Sequence, residues 1–229
     1  PPQAVWVGTV RKQRVGLGVV EVLEQLKRRL CERNEVVLQA PPGAGKTTIV
    51  PLELLDQPWL QGRKILVLEP RRMAARAAAS RMAQLLGEAV GQTVGYRIRL
   101  DTCVSANTRI EVITEGILTQ QLQRDPGLEN AGLVIFDEFH ERNLDADLCL
   151  ALALYGREIF REGPALKLLV MSATLAGEEV SKLLGNAPIV PSNGRQFPVE
   201  TRYCAGEGVD VEVDVLLHGF CHLSVDPIF

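Results

Sequence analysis

The sequence predicts an α/β protein built in three layers, with helices on both faces of a mainly parallel sheet. Three observations point there: short β-branched runs alternate with helical stretches along the chain, several of those runs are apolar from end to end, and one leads directly into a glycine-bearing turn and then a helix. Unbroken apolar runs suit strands covered on both faces, as parallel strands are. A chain of 229 residues, 46% apolar and 23% charged, has ordinary globular composition and can form one substantial core with a small appendage. It is too short for two full α/β domains.

Residues 1–18 show no helical or strand periodicity and do not begin with Met, so a processed or partial product is expected there. Val19, Val20, Leu23, Leu26 and Leu30 then recur at helical spacing, with Glu21, Glu24, Lys27 and Arg28 between them, which predicts an amphipathic leading helix. Strands are predicted over 35–39, 64–68, 109–114, 133–136, 167–171 and 188–190, and helices over 73–86, 116–123, 144–160 and 177–184. The alanine-rich start of the 73–86 segment combines high helix propensity with side chains small enough for close packing on a sheet. After about residue 205, valines alternate with acidic residues and the pattern is then lost, so 204–229 stays unassigned.

Composition excludes several roles. Twenty-five Lys and Arg against 28 Asp and Glu leave a net charge of -3, so any nucleic-acid contact is local and not the work of a polycation. No run is long enough to span a membrane and no secretion signal is seen. Five scattered cysteines without a C-x-x-C pair suit reduced thiols in the cytoplasm. His218, Cys221 and His222 lie close together, but further metal ligands are not evident, and the grouping is read as chance composition.

The strongest local signal is Ala40-Pro41-Pro42-Gly43-Ala44-Gly45-Lys46-Thr47-Thr48, between an apolar strand and a helix. A phosphate-binding loop needs glycines so that successive amides can turn toward an anion, and a helix N-terminus to reinforce them. Lys46 is then placed for the β and γ phosphates and the Thr47 hydroxyl for magnesium. The usual pattern begins with Gly, where this chain has Ala40.

A second station follows about ninety residues later, where Leu133-Val134-Ile135-Phe136 runs into Asp137-Glu138-Phe139-His140. Two carboxylates at the end of a buried strand are costly unless something positive sits beside them. Nucleotide-bound magnesium is the expected partner, with Asp137 holding the metal and Glu138 orienting or deprotonating the attacking water. His140 is read as a relay to the strand ending in Ser172-Ala173-Thr174. For those hydroxyls a coupling role and ordinary helix capping both remain open.

Together with Glu69-Pro70-Arg71-Arg72, Val94-Gly95-Tyr96-Arg97-Ile98-Arg99 and Thr114-Glu115-Gly116, these motifs occur in the order that resembles DEAH-box helicases, most closely the bacterial HrpB type, in which Phe replaces the Ala of the tetrapeptide. The resemblance spans about residues 19–203, closing at Gly194-Arg195-Gln196-Phe197-Pro198-Val199-Glu200. It implies a RecA-like P-loop NTPase domain that binds ATP and Mg2+ and hydrolyses ATP in an RNA helicase. By the same resemblance Gly43 to Thr48 form the nucleotide site, Arg81 stacks on the base, and Arg71, Arg72 and Thr114 contact the backbone of single-stranded RNA, DNA not being excluded. It also implies a second RecA-like domain, which is missing here: no Gln-x-x-Gly-Arg-x-Gly-Arg stretch occurs, so turnover by this chain alone is expected to be slow. The competing readings are a truncated, non-catalytic nucleotide- or RNA-binding module and, less well supported, a small-molecule kinase on the same loop. For Arg76 a solvated helix face is expected.

Overall fold

The computed structural model describes residues 18–192 apart from 142 and 174–176. The expectations for residues 1–17, for Thr174 and for everything after 192, including the tail and the His218–Cys221–His222 grouping, lie outside the described residues. A 3-10 turn, Gly18–Val22, leads into α1 (Leu23–Glu32), β1 (Glu35–Gln39), α2 (Lys46–Leu54), β2 (Lys64–Leu68), α3 (Arg72–Leu86), β3 (Val94–Ile98) and β4 (Asp101–Cys103). Then come β5 (Ile110–Ile113), α4 (Glu115–Arg124), β6 (Ala131–Phe136), α5 (Leu144–Ile159), β7 (Lys167–Ser172), α6 (Gly177–Leu183) and β8 (Ile189–Pro191).

The strands form one sheet in the order β4-β3-β5-β2-β6-β7-β1-β8. Every neighbouring pair is parallel except β3 with β4, a short antiparallel pair at the edge. Alternate strand residues feed two separate cores. Val36, Leu38, Ile65, Val67, Leu133 and Ile135 pack with α1, α2 and α3, while Val37, Leu66, Leu68, Val134 and Phe136 pack with α4, α5 and α6. The expected three layers are thus present, and the six predicted strands all form.

The β3–β4 pair has no counterpart among the predicted strands. Gly95 and Arg97 interrupt the apolar run that would have marked β3. Gly95 is required by close approach, because a Cβ there would lie 2.3 Å from the Cys103 carbonyl oxygen on β4. The leading helix also differs in its first turn, which is 3-10, with the Val19 N–H donating to the Ala44 carbonyl of the glycine-bearing loop at 3.3 Å.

Strand order decides which residues meet. At the C-terminal ends of β1, β7, β6, β2 and β5, taken across the sheet, stand the glycine-bearing loop, Ser172, Asp137, Glu69 and Thr114. Parallel α/β sheets present their ligand-binding loops along this edge.

Candidate functional site

The loop after β1 takes its shape from two left-handed residues. Gly43 has φ +75° and Gly45 φ +83°, and no neighbour lies within 4 Å of a Cβ built on Gly43, so backbone conformation and not crowding selects glycine there. Ala40, at the position where Gly is usual, is buried and keeps the strand ladder going by donating to the Ser172 carbonyl at 3.0 Å. Gly45 precedes α2, so Lys46 and Thr47 occupy its first turn with the helix dipole pointing out of the loop.

Thr47 and Lys46 reach the acidic end of β6, two strands away. The Thr47 hydroxyl donates to Asp137 Oδ2, and Lys46 Nζ lies 3.0 Å from Glu138 Oε1. The expected positive partner for the strand-end carboxylates is therefore supplied in part by the protein itself. Lys46 is 3% exposed, and although the ammonium and carboxylate are at ion-pair distance they do not meet at hydrogen-bonding angles. Its donors remain unspent inside the site, as a residue built to receive phosphate oxygens requires. Asp137 Oδ1 accepts the Glu138 N–H at 2.8 Å. A divalent cation held by one hydroxyl, one carboxylate and phosphate oxygens is a usual magnesium arrangement, and Thr47 and Asp137 are the pair that fits it.

Glu138 is held in the left-handed region, φ +49°, which turns its side chain back over the loop. Phe139 follows and is buried, its ring edge-on to Phe136 at 6.1 Å between centroids and 87° between planes. A 3-10 turn, Phe139–Glu141, completes the connection. His140 Nε2 lies 3.3 Å from Glu138 Oε2, and the Ala173 N–H donates to His140 Nδ1 at 3.3 Å. Because β7 runs between β1 and β6, its end is the structure that His140 meets. Ser172 is buried as the last residue of β7.

Carboxylates crowd this end of the sheet. Burial pushes the Asp137 carboxyl up to about 6, opposed by the Thr47 hydrogen bond and reinforced by Glu138. Glu69 is raised further, to about 8, first by burial and then by Asp137, Glu138, Glu141 and Glu115. Burial also raises Glu115. Glu69 and Glu115 stand in motifs the sequence marked, yet reading the sequence assigned them no role. Their apolar flanks, Leu68 and Ile113, were the available signal of burial.

Arg71 is exposed and pairs with Glu141 at 2.7 Å. Arg72 donates to the Arg99 carbonyl at 2.9 Å, tying α3 to the turn between β3 and β4. Thr114 ends β5 at the cap position of α4 and is largely buried. Arg81 lies exposed on α3 without an ion-pair partner among the described residues. Arg76 is exposed on α3, as expected of a solvated helix face, and there it pairs with Asp101, with its guanidinium 5.7 Å from the Tyr96 ring centroid.

The sequence profile of DEAD/DEAH box helicases matches residues 21–183. The chain belongs to the DEAD/DEAH box helicase family. Among relatives of this helicase domain, the ATP-dependent RNA helicase HrpB of Escherichia coli K12 is 54% identical over 187 residues, 82% of this chain and 23% of that protein. An ATP-dependent RNA helicase HrpA homolog of Haemophilus influenzae is 37% identical over 180 residues, 78% of this chain and 14% of that protein. A crystal structure of the Escherichia coli DEAH/RHA helicase HrpB superposes with a TM-score of 0.76 over 80% of this chain and 23% of its own. A second, of the Escherichia coli DExH-box NTPase HrpB, gives 0.75 over 81% and 22%. The fold is thus the RecA-like fold of helicases, and the chain spans less than a quarter of the length of these relatives.

Proposed function

We propose that the chain carries the first RecA-like domain of an ATP-dependent RNA helicase, over about residues 19–203, and that it binds Mg-ATP and single-stranded RNA and hydrolyses ATP to drive movement along the strand in a longer protein. The observation that carries this reading is the convergence of Lys46 and Thr47 with Asp137 and Glu138 across two strands, with the Lys46 ammonium buried and its donors unspent. Gly43, Ala44 and Gly45 form the amide-lined turn, with Thr48 beside Thr47 in the first turn of α2. Arg81, exposed on α3, is the residue assigned to the base.

Thr47 and Asp137 would hold magnesium, whose chemistry is to neutralise charge on the β and γ phosphates. Lys46 adds a second positive group at the same phosphates. Glu138 orients the attacking water and takes its proton, and His140 links the state of Glu138 to the end of β7 through the Ala173 amide. Ser172, at the end of that strand, is assigned to the coupling, and so is Thr174, which lies outside the described residues. Arg71, Arg72 and Thr114 lie along the same edge of the sheet and suit a phosphate backbone, which gives affinity without sequence preference.

No helix among the described residues is long and apolar enough to cross a membrane. The described cysteines, Cys31, Cys103 and Cys149, are free thiols, which suits a reducing, cytoplasmic location.

The test is phosphate release by the longer protein with and without single-stranded RNA, and with single-stranded DNA as a second polymer. RNA-stimulated turnover that Glu138→Gln abolishes is expected. Turnover unaffected by RNA, or an active Glu138→Gln enzyme, contradicts the reading.

A further inference from the structure

Away from the nucleotide site, Lys64, Glu111 and Arg97 share one face of three neighbouring strands. Leu66 on β2 and Gly95 on β3 lie level with Glu111 on β5, and Lys64 and Arg97 stand two residues from those positions on the same face. The Glu111 residue is 2% exposed, and its carboxylate accepts from Lys64 Nζ on one oxygen and from Arg97 Nε at 2.7 Å on the other. Both cations open onto a cavity of about 370 Å³ between this face and α4. Leu118 and Leu122 turn α4 into the second core, and its adjoining side, with Gln120, Gln121 and Arg124, walls the cavity.

The balance of charge defines an occupant. Glu111 is committed to its two cations, and Asp125 Oδ2 accepts the Glu129 N–H at 2.9 Å. Among the described residues Arg97 engages only Nε, and Arg124 has no partner, so two guanidinium groups keep donors directed at whatever enters. No aromatic side chain lines the cavity, which leaves a nucleobase nothing to stack on. With Glu111 and Asp125 in the wall, the cations there leave room for a small anionic charge and not for the several charges of a run of phosphates. Leu66 and Leu128 supply an apolar surface beside the cations.

We propose that this cavity binds a carboxylate carried on a short aliphatic stem, with Arg97 and Arg124 holding the carboxylate, the Gln120 and Gln121 amides its polar surroundings, and Leu66 and Leu128 the stem. Such a group comes either from an acidic side chain of a polypeptide or from a small free dicarboxylic acid. The site shares no residue with the loop at Gly43 to Thr48 or with Asp137 to His140.

The test is a pair of titrations on the whole chain followed by two-dimensional amide NMR, one with glutarate and one with a blocked Gly-Glu-Gly peptide, reading the Arg97 Nε–H and the Gln120 and Gln121 side-chain amides. Saturating shifts at these groups are expected. Arg124→Gln should weaken binding about tenfold or more, the loss of one charge-assisted hydrogen-bond partner. Arg97→Gln should weaken it at least as much. Since Arg124 makes no hydrogen bond or ion pair among the described residues, its variant keeps the test sound even if Arg97→Gln disturbs Glu111. Stronger binding of the peptide assigns a polypeptide source, and stronger binding of glutarate assigns a free acid. No saturating shift with either, shifts that Arg124→Gln leaves unchanged, or equal saturation by inorganic phosphate overturns the proposal.

Discussion

Lys46 and Glu138 are 3.0 Å apart, on opposite sides of the cleft that the phosphate loop shares with the end of β6. This buried ammonium lies at ion-pair distance from the Glu138 carboxylate, and a nucleotide phosphate must compete with that carboxylate for it. Glu138→Gln removes the competitor and leaves the buried ammonium with less compensating charge. Nucleotide affinity should therefore rise several-fold in Glu138→Gln while turnover is lost, and Lys46→Ala should abolish binding. Calorimetric titration of both variants with a non-hydrolysable ATP analogue checks the directions, and weaker binding by Glu138→Gln contradicts them.

Phe139 anchors the strained residue before it. Its ring is buried edge-on against Phe136, and this contact fixes the turn that carries Glu138 at φ +49° and His140 beside it. Replacing a core Phe by Ala costs roughly 3–5 kcal/mol. Phe139→Ala is expected to lower the urea midpoint and to reduce kcat with little change in KM. Phe139→Leu, which refills most of the volume, should recover most of both. Full activity in Phe139→Ala would show that Glu138 holds its conformation without the anchor.

Glu69 gives the free protein a pH dependence. Its folded-state pKa of about 8 lies above the ordinary 4.5, so the folded chain holds that proton more tightly than the unfolded one. The stabilisation is complete below about pH 4.5 and falls as pH rises toward 8. Glu69→Gln, neutral throughout, should raise Tm relative to the native chain at pH 8 and narrow that gap at pH 5, with nucleotide and metal absent. A gap independent of pH would remove Glu69 as the source.

Gly156 inverts a familiar expectation. Glycine to alanine within a helix usually stabilises by up to about 1 kcal/mol. Here an added Cβ lies 2.1 Å from the Pro126 carbonyl oxygen and 3.0 Å from its carbon, both backbone atoms. Gly156→Ala should therefore destabilise by about 1–3 kcal/mol, as overpacking does. Chemical denaturation reads the sign directly.

Most of the parallel strands were legible because strands covered on both faces read as apolar runs, as 65–68 and 168–171 do. β3 and β4 were not, since an edge pair is short and tolerates Arg97 and Thr102 on its surface. The loop at 43–48 and the pair Asp137-Glu138 could be picked out because their chemistry is local in sequence. The contacts between Lys46 and Glu138, and between His140 and Ala173, could not, because they depend on β7 being inserted between β1 and β6. The burial of Phe139 was equally hidden: nothing in a single aromatic residue distinguishes a ring that anchors a turn from one that faces solvent. For Arg76 the solvated face was legible, but its surface partners Asp101 and Tyr96 were not, because they lie on the unrecognised β3–β4 hairpin.

The Val19 amide, bonded to the carbonyl of Ala44, makes the first turn of the described chain a structural member of the phosphate loop. Shortening the protein to begin at α1 would thus not be a neutral trim. It would strip a backbone donor from the loop and uncover part of the first core, so any minimal version of this domain has to start upstream of that turn.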